Sequence, residues 1–305
     1  MESFIISGLA LSTPILLAAL GDLYAEKSGV LNLGIEASMI IGAYFSYHVA
    51  FFSGSVSGGL LAAVGAGLIL ALIHAVFLVL LKCDQVVYGV GINILALGLT
   101  STIFRKSFAT GNGYEKCPGL PKMDFALVRD IPFLGDVLAQ QTILLFLGLV
   151  FLIVTIVVFS HTSAGLKIKA VGEHPYAADT LGVSVAKTRY AGLLISSIFG
   201  ALGGASLTIG DLHFFQDGMT AGRGYIALAA IIFGRYQPLG VLVAALIFGM
   251  SDAFQLRMQI IGFNIPYQIF LIAPYLITLL ALFVVGPSMA PRYNGKPFER
   301  GEEGF

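Results

Sequence analysis

The chain has 305 residues, 57% of them hydrophobic and only 11% charged, with a mean hydropathy of +0.90. Soluble domains carry about 25% charged residues, so this composition excludes a free-standing soluble enzyme and points to a chain solvated mainly by lipid. Seventeen basic and seventeen acidic residues cancel, which leaves no basic surplus for nucleic acid.

Nine apolar segments follow one another: Phe4–Leu20, Leu33–Phe52, Leu60–Leu81, Val86–Phe104, Thr142–Phe159, Tyr190–Ile209, Met219–Phe233, Leu239–Phe254 and Tyr267–Val285. Most approach the ~20 residues that cross a bilayer as a helix. They predict an all-α, polytopic membrane helix bundle of about 8–10 spans, one transmembrane domain over residues 1–305, with short segments able to be partial or re-entrant. The first segment has Glu2 where a secretory signal has basic residues, and no small-residue cleavage pattern before Asp22. It reads as a retained span.

The second segment opens on GVLNLGIEAS, where Asn32 and Glu36 stand four residues apart and would share a face of a helix. A carboxyl group inside a span is costly in lipid. Two readings stand side by side: Asn32 and Glu36 line a translocation path or brace a bend, or Glu36 hydrogen-bonds a neighbouring helix. Gly29 and Gly34 suggest an irregular start to this span. Asn93 in GVGINILALGL invites the same pair of readings, whereas Asp211 and Asp252 fall at span ends and read as interfacial.

Residues 105–139 form the longest polar insertion before the middle of the chain, a structured loop rather than a second domain. A second polar stretch, Ser163–Arg189, is flanked closely by apolar runs and carries Lys167, Lys169, Lys187 and Arg189. The excess of Lys and Arg in cytoplasmic loops places it inside, as a cytoplasmic loop over residues 162–189. Alternation then puts Lys27, Lys82, Arg235 and a tail over residues 287–305 inside, and the 105–139 loop outside. Within the inner loop, Pro175 near a first turn and Gly182 as a stop predict a short helix. Cys83 and Cys117 fall on opposite sides under this topology, so they cannot pair.

Leu31–Tyr44 can be laid over Arg223–Tyr236, matching Ala37 with Ala229, Ile40 with Ile232, Gly42 with Gly234 and Tyr44 with Tyr236. The two segments would cross in opposite directions, as an inverted repeat does. The 37 glycines suit close packing of helix backbones in lipid, and some would serve helices that shift. Phe214 and Phe215 are expected at an outer mouth, in an interfacial belt or against a planar ligand. The sequence contains no P-loop, no H-E-x-x-H and no G-x-S-x-G, and its five histidines are scattered without ligand spacing. No catalytic, metal or cofactor site is expected on this chain.

Three stretches in order carry a family resemblance: GDLYAEKSGVLNLGIEASMIIGAYFSY, AGLKIKAVGEHPYAADTLGVSVAKTRYAGLLISSIFGALGGA and FQDGMTAGRGYIALAAIIFGRYQPLG. The chain resembles the permease subunits of bacterial ATP-binding-cassette importers that serve branched-chain amino acids, ribose-type sugars and nucleosides, nearest to the nucleoside group. The resemblance implies a multi-pass protein of the bacterial inner membrane with no ATPase site of its own, ATP being bound by a separate ATPase subunit. It implies a second permease chain, related or identical, and an extracytoplasmic substrate-binding lipoprotein. It also implies that Glu173, His174, Pro175, Tyr176, Ala177, Ala178, Asp179 and Gly182 form a coupling helix seated on the ATPase. The family's loop signature has glutamate where Tyr176 stands, so a salt bridge from that place is not carried over.

Other cargoes for the same machinery are riboflavin or a simple sugar. A different class, an ion-coupled secondary carrier, calls for paired intramembrane acids or a dense polar site near the midplane. An intramembrane enzyme calls for converging catalytic groups, and the sequence offers none.

Overall fold

The computed structural model describes residues 2–108, 115–122, 134–261 and 290–299. Tyr267–Val285, the ninth apolar segment, lies outside the described residues, as do much of the 105–139 loop and the ends of the tail.

Seven described helices are long and apolar enough to cross a membrane. They are α1 (Glu2–Lys27), α2 (Ile35–Ser53), α3 (Val56–Leu80), α4 (Gln85–Ser107), α6 (Ile143–His161), α9 (Val185–Leu212) and α11 (Pro238–Ile261). Four shorter helices accompany them: α5 (Leu134–Ala139), α7 (Ser163–Glu173), α8 (Pro175–Thr180) and α10 (Arg223–Phe233). The segment Met219–Phe233 is one of the short ones expected to be partial. Its first four residues are turns, and α10 has only 11 residues, about 16 Å of helix against a ~30 Å hydrocarbon core.

Helix α1 is apolar on all sides and is buried without a break from Ser12 to Glu26. Such a helix belongs at the centre of a bundle. It runs antiparallel to α9, with Gly21 against Phe199 and Gly203 against Pro14. Helix α2 runs parallel to α9 on its other side, and the backbones touch: a Cβ on Gly204 would run into the carbonyl of Met39. Small residues at crossings permit dispersion contact between backbones where lipid removes most of the hydrophobic drive. By contrast α4 leaves most of its surface open, and Val87, Ile94 and Leu95 are exposed large apolar side chains of the kind lipid covers.

The packing has an internal symmetry. Helix α1 packs on α11 as α9 packs on α3; α9 packs on α2 as α1 packs on α10; and α2 packs on α3 as α10 packs on α11. Exchanging α1, α2, α3 with α9, α10, α11 therefore maps contacts onto contacts, with each helix reversed in direction, which is an inverted repeat. The sequence alignment is off by one helical turn. The N-caps of α2 and α10 are Gly34 and Gly222, and the alignment of Leu31 with Arg223 does not superpose them. A shift of four residues keeps the same helix face.

Lys27, Lys82, the Ser163–Arg189 segment and residues 290–299 meet at one end of the bundle. Lys82 Nζ lies 2.8 Å from Glu299 Oε1, the N–H of Tyr293 donates to Gly172 O (3.0 Å), and Arg189 Nη1 donates to Lys296 O (3.0 Å). At the other end, Cys117 N donates to His213 O (2.8 Å), and Arg105 Nη2 pairs with Asp217 Oδ2 (3.2 Å). Cys83 and Cys117 accordingly sit at opposite ends, and neither forms a disulfide. Burial pushes the Cys117 thiol up from its ordinary range.

Candidate functional site

Two helices begin inside the bundle, and each beginning is a problem in unpaired backbone donors. The first turn of any helix has N–H groups with no intrahelical acceptor. Both N-caps here are glycine, which has no side chain to cap with, and neither start has a side-chain cap of its own. The caps are supplied from other helices. For α2 the capping group is Asn93 on α4: its Oδ1 accepts the N–H of Ala37 (2.9 Å). Its Nδ2 donates to Leu33 O (2.9 Å) and to Tyr225 Oη (2.7 Å). For α10 the capping group is Glu36 on α2. Its Oε1 accepts the N–H of Gly222 (3.0 Å) and the Thr220 hydroxyl (2.6 Å), and its Oε2 accepts the N–H of Gly224 (2.7 Å).

A carboxylate at a helix N-terminus also gains from the positive end of the helix dipole. The two helix starts touch because Gly224 has no side chain; a Cβ there would lie 2.6 Å from Glu36 Cα. Beside this junction is a cavity of 290 Å3. Glu36, Asn93, Thr220 and Tyr225 form its polar side, and Ile40, Val90, Ile94 and Leu97 its apolar wall. Tyr225 Oη accepts from Asn93, so its own proton remains available to a ligand. One aromatic face, one hydroxyl donor and an aliphatic wall suit a small, partly apolar solute.

Of the residues expected to line a path, Glu36 and Asn93 meet at this cavity. Asn32 does not, and its expected place on a common helix face with Glu36 is corrected. Asn32 precedes α2, is fully buried, and donates through Nδ2 to Ser196 Oγ (2.9 Å). Ser196 in turn donates to Asp22 Oδ1 (2.6 Å). Asp252 stands inside α11, nine residues before its end, with its side chain 17% exposed, and faces Arg223, Oδ2 to Nη2 at 3.5 Å. Phe215 is not at an exposed mouth but fully buried among Tyr44, Tyr47 and Phe104. Thr220 and Tyr225 were missed in the sequence. The available signal was Gly222-x-Gly224 opening an apolar segment too short to span.

The inner loop folds as two helices. Helix α7 ends at Glu173, His174 is the N-cap of α8, and Pro175 is its first residue. Helix α8 stops as expected. Gly182 adopts φ +80°, the N–H of Val183 reaches Ala178 O (3.0 Å), and the N–H of Gly182 reaches Asp179 O (2.9 Å). This is a Schellman closure, which needs a left-handed residue at Gly182.

The eight expected coupling residues do not share one surface. Pro175 and Ala178 are buried; Ala178 packs with Val171, Val185 and Phe298. Tyr176, in the place of the family's glutamate, lays its ring against Tyr293 and Phe298 of the tail. Glu173, His174, Ala177 and Gly182 are exposed, and Asp179 is half-buried. Leu181, 84% exposed, joins them at the tip.

Among the described residues no group of three or more His, Cys, Asp or Glu could hold a metal ion. Residues 4–284 match the family described as "Branched-chain amino acid transport system / permease component". The chain is 38% identical to the guanosine ABC transporter permease protein NupQ of Bacillus subtilis, covering 96% of this chain and 95% of the relative. It is 34% identical to the nucleoside ABC transporter permease protein NupC of Lactococcus lactis subsp. cremoris, covering 97% and 96%. It is 25% identical to the glucose ABC transporter permease protein TsgB13 of Haloferax volcanii, covering 96% and 79%. No solved structure matches.

Proposed function

The chain belongs to the permease-component family of branched-chain amino acid transport systems, and from that premise we propose that it forms the translocation path for a nucleoside-like solute in an ATP-binding-cassette importer. The observation that carries the reading is the cavity where the two half-helix starts meet, together with relatives at 34–38% identity that are named guanosine and nucleoside permeases. A solute released by an external binding protein would sit against Tyr225 and the aliphatic wall of α4, with Glu36 and Asn93 holding the junction in shape. Most polar atoms of that junction are already engaged with backbone, so the cavity offers few ligand contacts. Weak retention suits a path that must release its cargo.

ATP is bound by a separate ATPase subunit in this reading, which requires no ATP site on this chain. Closure of the ATPase pair moves the exposed tip of α8 and its flanks, Glu173, His174, Ala177, Leu181 and Gly182. The motion passes to α6 through α7 and to α9 directly, and shifts the central helices between outward- and inward-facing states. A second permease chain completes the path, and the Ser163–Arg189 end faces the cytoplasm. Glucose, in the name of the Haloferax relative, keeps a simple sugar as the alternative cargo.

The test is uptake of labelled nucleosides, riboflavin and glucose by proteoliposomes holding the complex purified through this chain. Nucleoside uptake that needs ATP and a co-purified ATPase supports the reading. Sugar uptake replaces the cargo, and uptake without ATP, driven by an ion gradient, overturns the importer.

A further inference from the structure

Residues 290–299 of the tail cross the end of the bundle that carries α8, and their middle is a closed turn. The N–H of Asn294 donates to Pro291 O (3.0 Å), and the N–H of Lys296 donates to Tyr293 O (3.2 Å). Gly295 takes φ +78°, which glycine adopts without steric cost. The turn is held in place at both ends: Arg189 Nη1 donates to Lys296 O (3.0 Å), and Lys82 Nζ pairs with Glu299 Oε1 (2.8 Å).

Two consecutive residues of this turn grip different parts of the bundle. Tyr293 belongs with the inner loop. Its N–H donates to Gly172 O (3.0 Å) near the end of α7, and its ring lies 5.7 Å from that of Tyr176 on α8. Phe298 sets a second ring 5.1 Å from Tyr176 and packs with Ala178. Asn294, the next residue, belongs with the central helix: its Nδ2 donates to Glu26 Oε2 in the last turn of α1.

The bond to Glu26 anchors the tail. Glu26 is 2% exposed, and a buried carboxylate is costly unless donors reach it. Among the described residues Glu26 forms no ion pair. The chain has no Lys, Arg or His between Arg257 and Arg292, so the ninth apolar segment brings no basic counterpart. The side-chain donor that Glu26 has among the described residues is Asn294. The fit leaves little slack: a Cβ on Gly29 would lie 3.1 Å from Tyr293 O, and one on Gly172 would lie 3.3 Å from Pro291 Cβ.

Resting on the importer reading, we propose that Tyr176, Tyr293 and Asn294 are positioning residues of transport, the tail being a strap through which displacement of α8 reaches α1. The force passes from ring to ring between Tyr176 and Tyr293, then from amide to carboxylate between Asn294 and Glu26. This gives Tyr176 a task at the place where the family's loop signature has glutamate.

The experiment uses the complex purified through the full chain. It measures labelled nucleoside taken up per ATP hydrolysed in proteoliposomes, and amide hydrogen exchange of the same preparation without ATP. Tyr176→Ala and Asn294→Ala are each expected to lower uptake per ATP about tenfold, the scale of one aromatic pair or one hydrogen bond to a charged group. The double variant should lose no more than either single one, because two links in series fail together; independent losses, about a hundredfold in all, overturn the proposal. Glu26→Leu combined with Asn294→Ala removes both polar partners, so the thermal midpoint should return toward wild type while uptake per ATP stays low. Recovery of both overturns the strap. Tyr176→Ala should also speed amide exchange in the last turn of α1, and unchanged exchange there overturns it as well. Wild type without ATP-driven uptake overturns the importer reading and this role with it, even where the exchange data show the strap in place, so the two failures are told apart.

Discussion

Replacing Glu36 by Gln tests whether the carboxylate holds the two half-helices together. The wild-type side chain accepts from Thr220, Gly222 and Gly224 at 2.6, 3.0 and 2.7 Å. Glutamine keeps one oxygen and turns the other into an NH2, which faces a backbone N–H with nothing to accept it. One charge-assisted bond is lost, worth about 1.5–3 kcal/mol, together with about 0.3–1 kcal/mol of interaction between the charge and the α10 dipole. The sum, about 3 kcal/mol, is roughly a hundredfold loss in the population of the capped junction. The assays are the midpoint of thermal unfolding in detergent and uptake in proteoliposomes, measured on the same preparation. The expected result is a lower midpoint and impaired uptake, with Thr220→Val additive to neither, since Thr220 shares the carboxylate. Unchanged stability and uptake in Glu36→Gln would refute the capping argument.

Asn93→Ala strips one donor and one acceptor from three partners, and orphans the Ala37 N–H at about 1–3 kcal/mol; Asn93→Asp should recover part of the stability by restoring that acceptor, and equal loss in both variants would contradict this. Leu181→Glu, at the exposed tip of the inner loop, should uncouple ATP hydrolysis from uptake without lowering expression, and normal coupling would remove the tip from the docking surface. Ala178→Arg should instead destabilise the loop itself, because Ala178 is packed beneath Val171 and Phe298; a fully stable but uncoupled variant would show that side chain to be outward-facing. Cys117 is buried, with a thiol pushed up by burial, so its thiolate and its labelling by an impermeant maleimide should rise only above the usual thiol range. Cys83, half-buried at the opposite end, should react only once the inner face is opened; its labelling in intact cells would invert the proposed orientation.

Composition and periodicity determined a great deal about this protein by themselves. Runs of apolar residues near the length of a bilayer crossing leave a helix bundle as the solution that satisfies backbone groups in lipid, and among the described residues seven of those runs are long helices. Local chemistry was equally legible at α8, where Pro175 and Gly182 act through their own backbone dihedrals and need no distant partner. The site was legible in residue type but not in role. Glu36 and Asn93 stand out as polar groups within apolar runs, yet nothing local says that each caps a helix remote in sequence. Asn32, equally polar and four residues from Glu36, bonds instead to Ser196. Only the tertiary structure made that separation, because non-helical chain before Ile35 turns Asn32 out of register with the helix. The same holds for Ala178 and Arg189: burial is a property of what packs around a residue, and the tail and the start of α9 supply that environment from far along the chain.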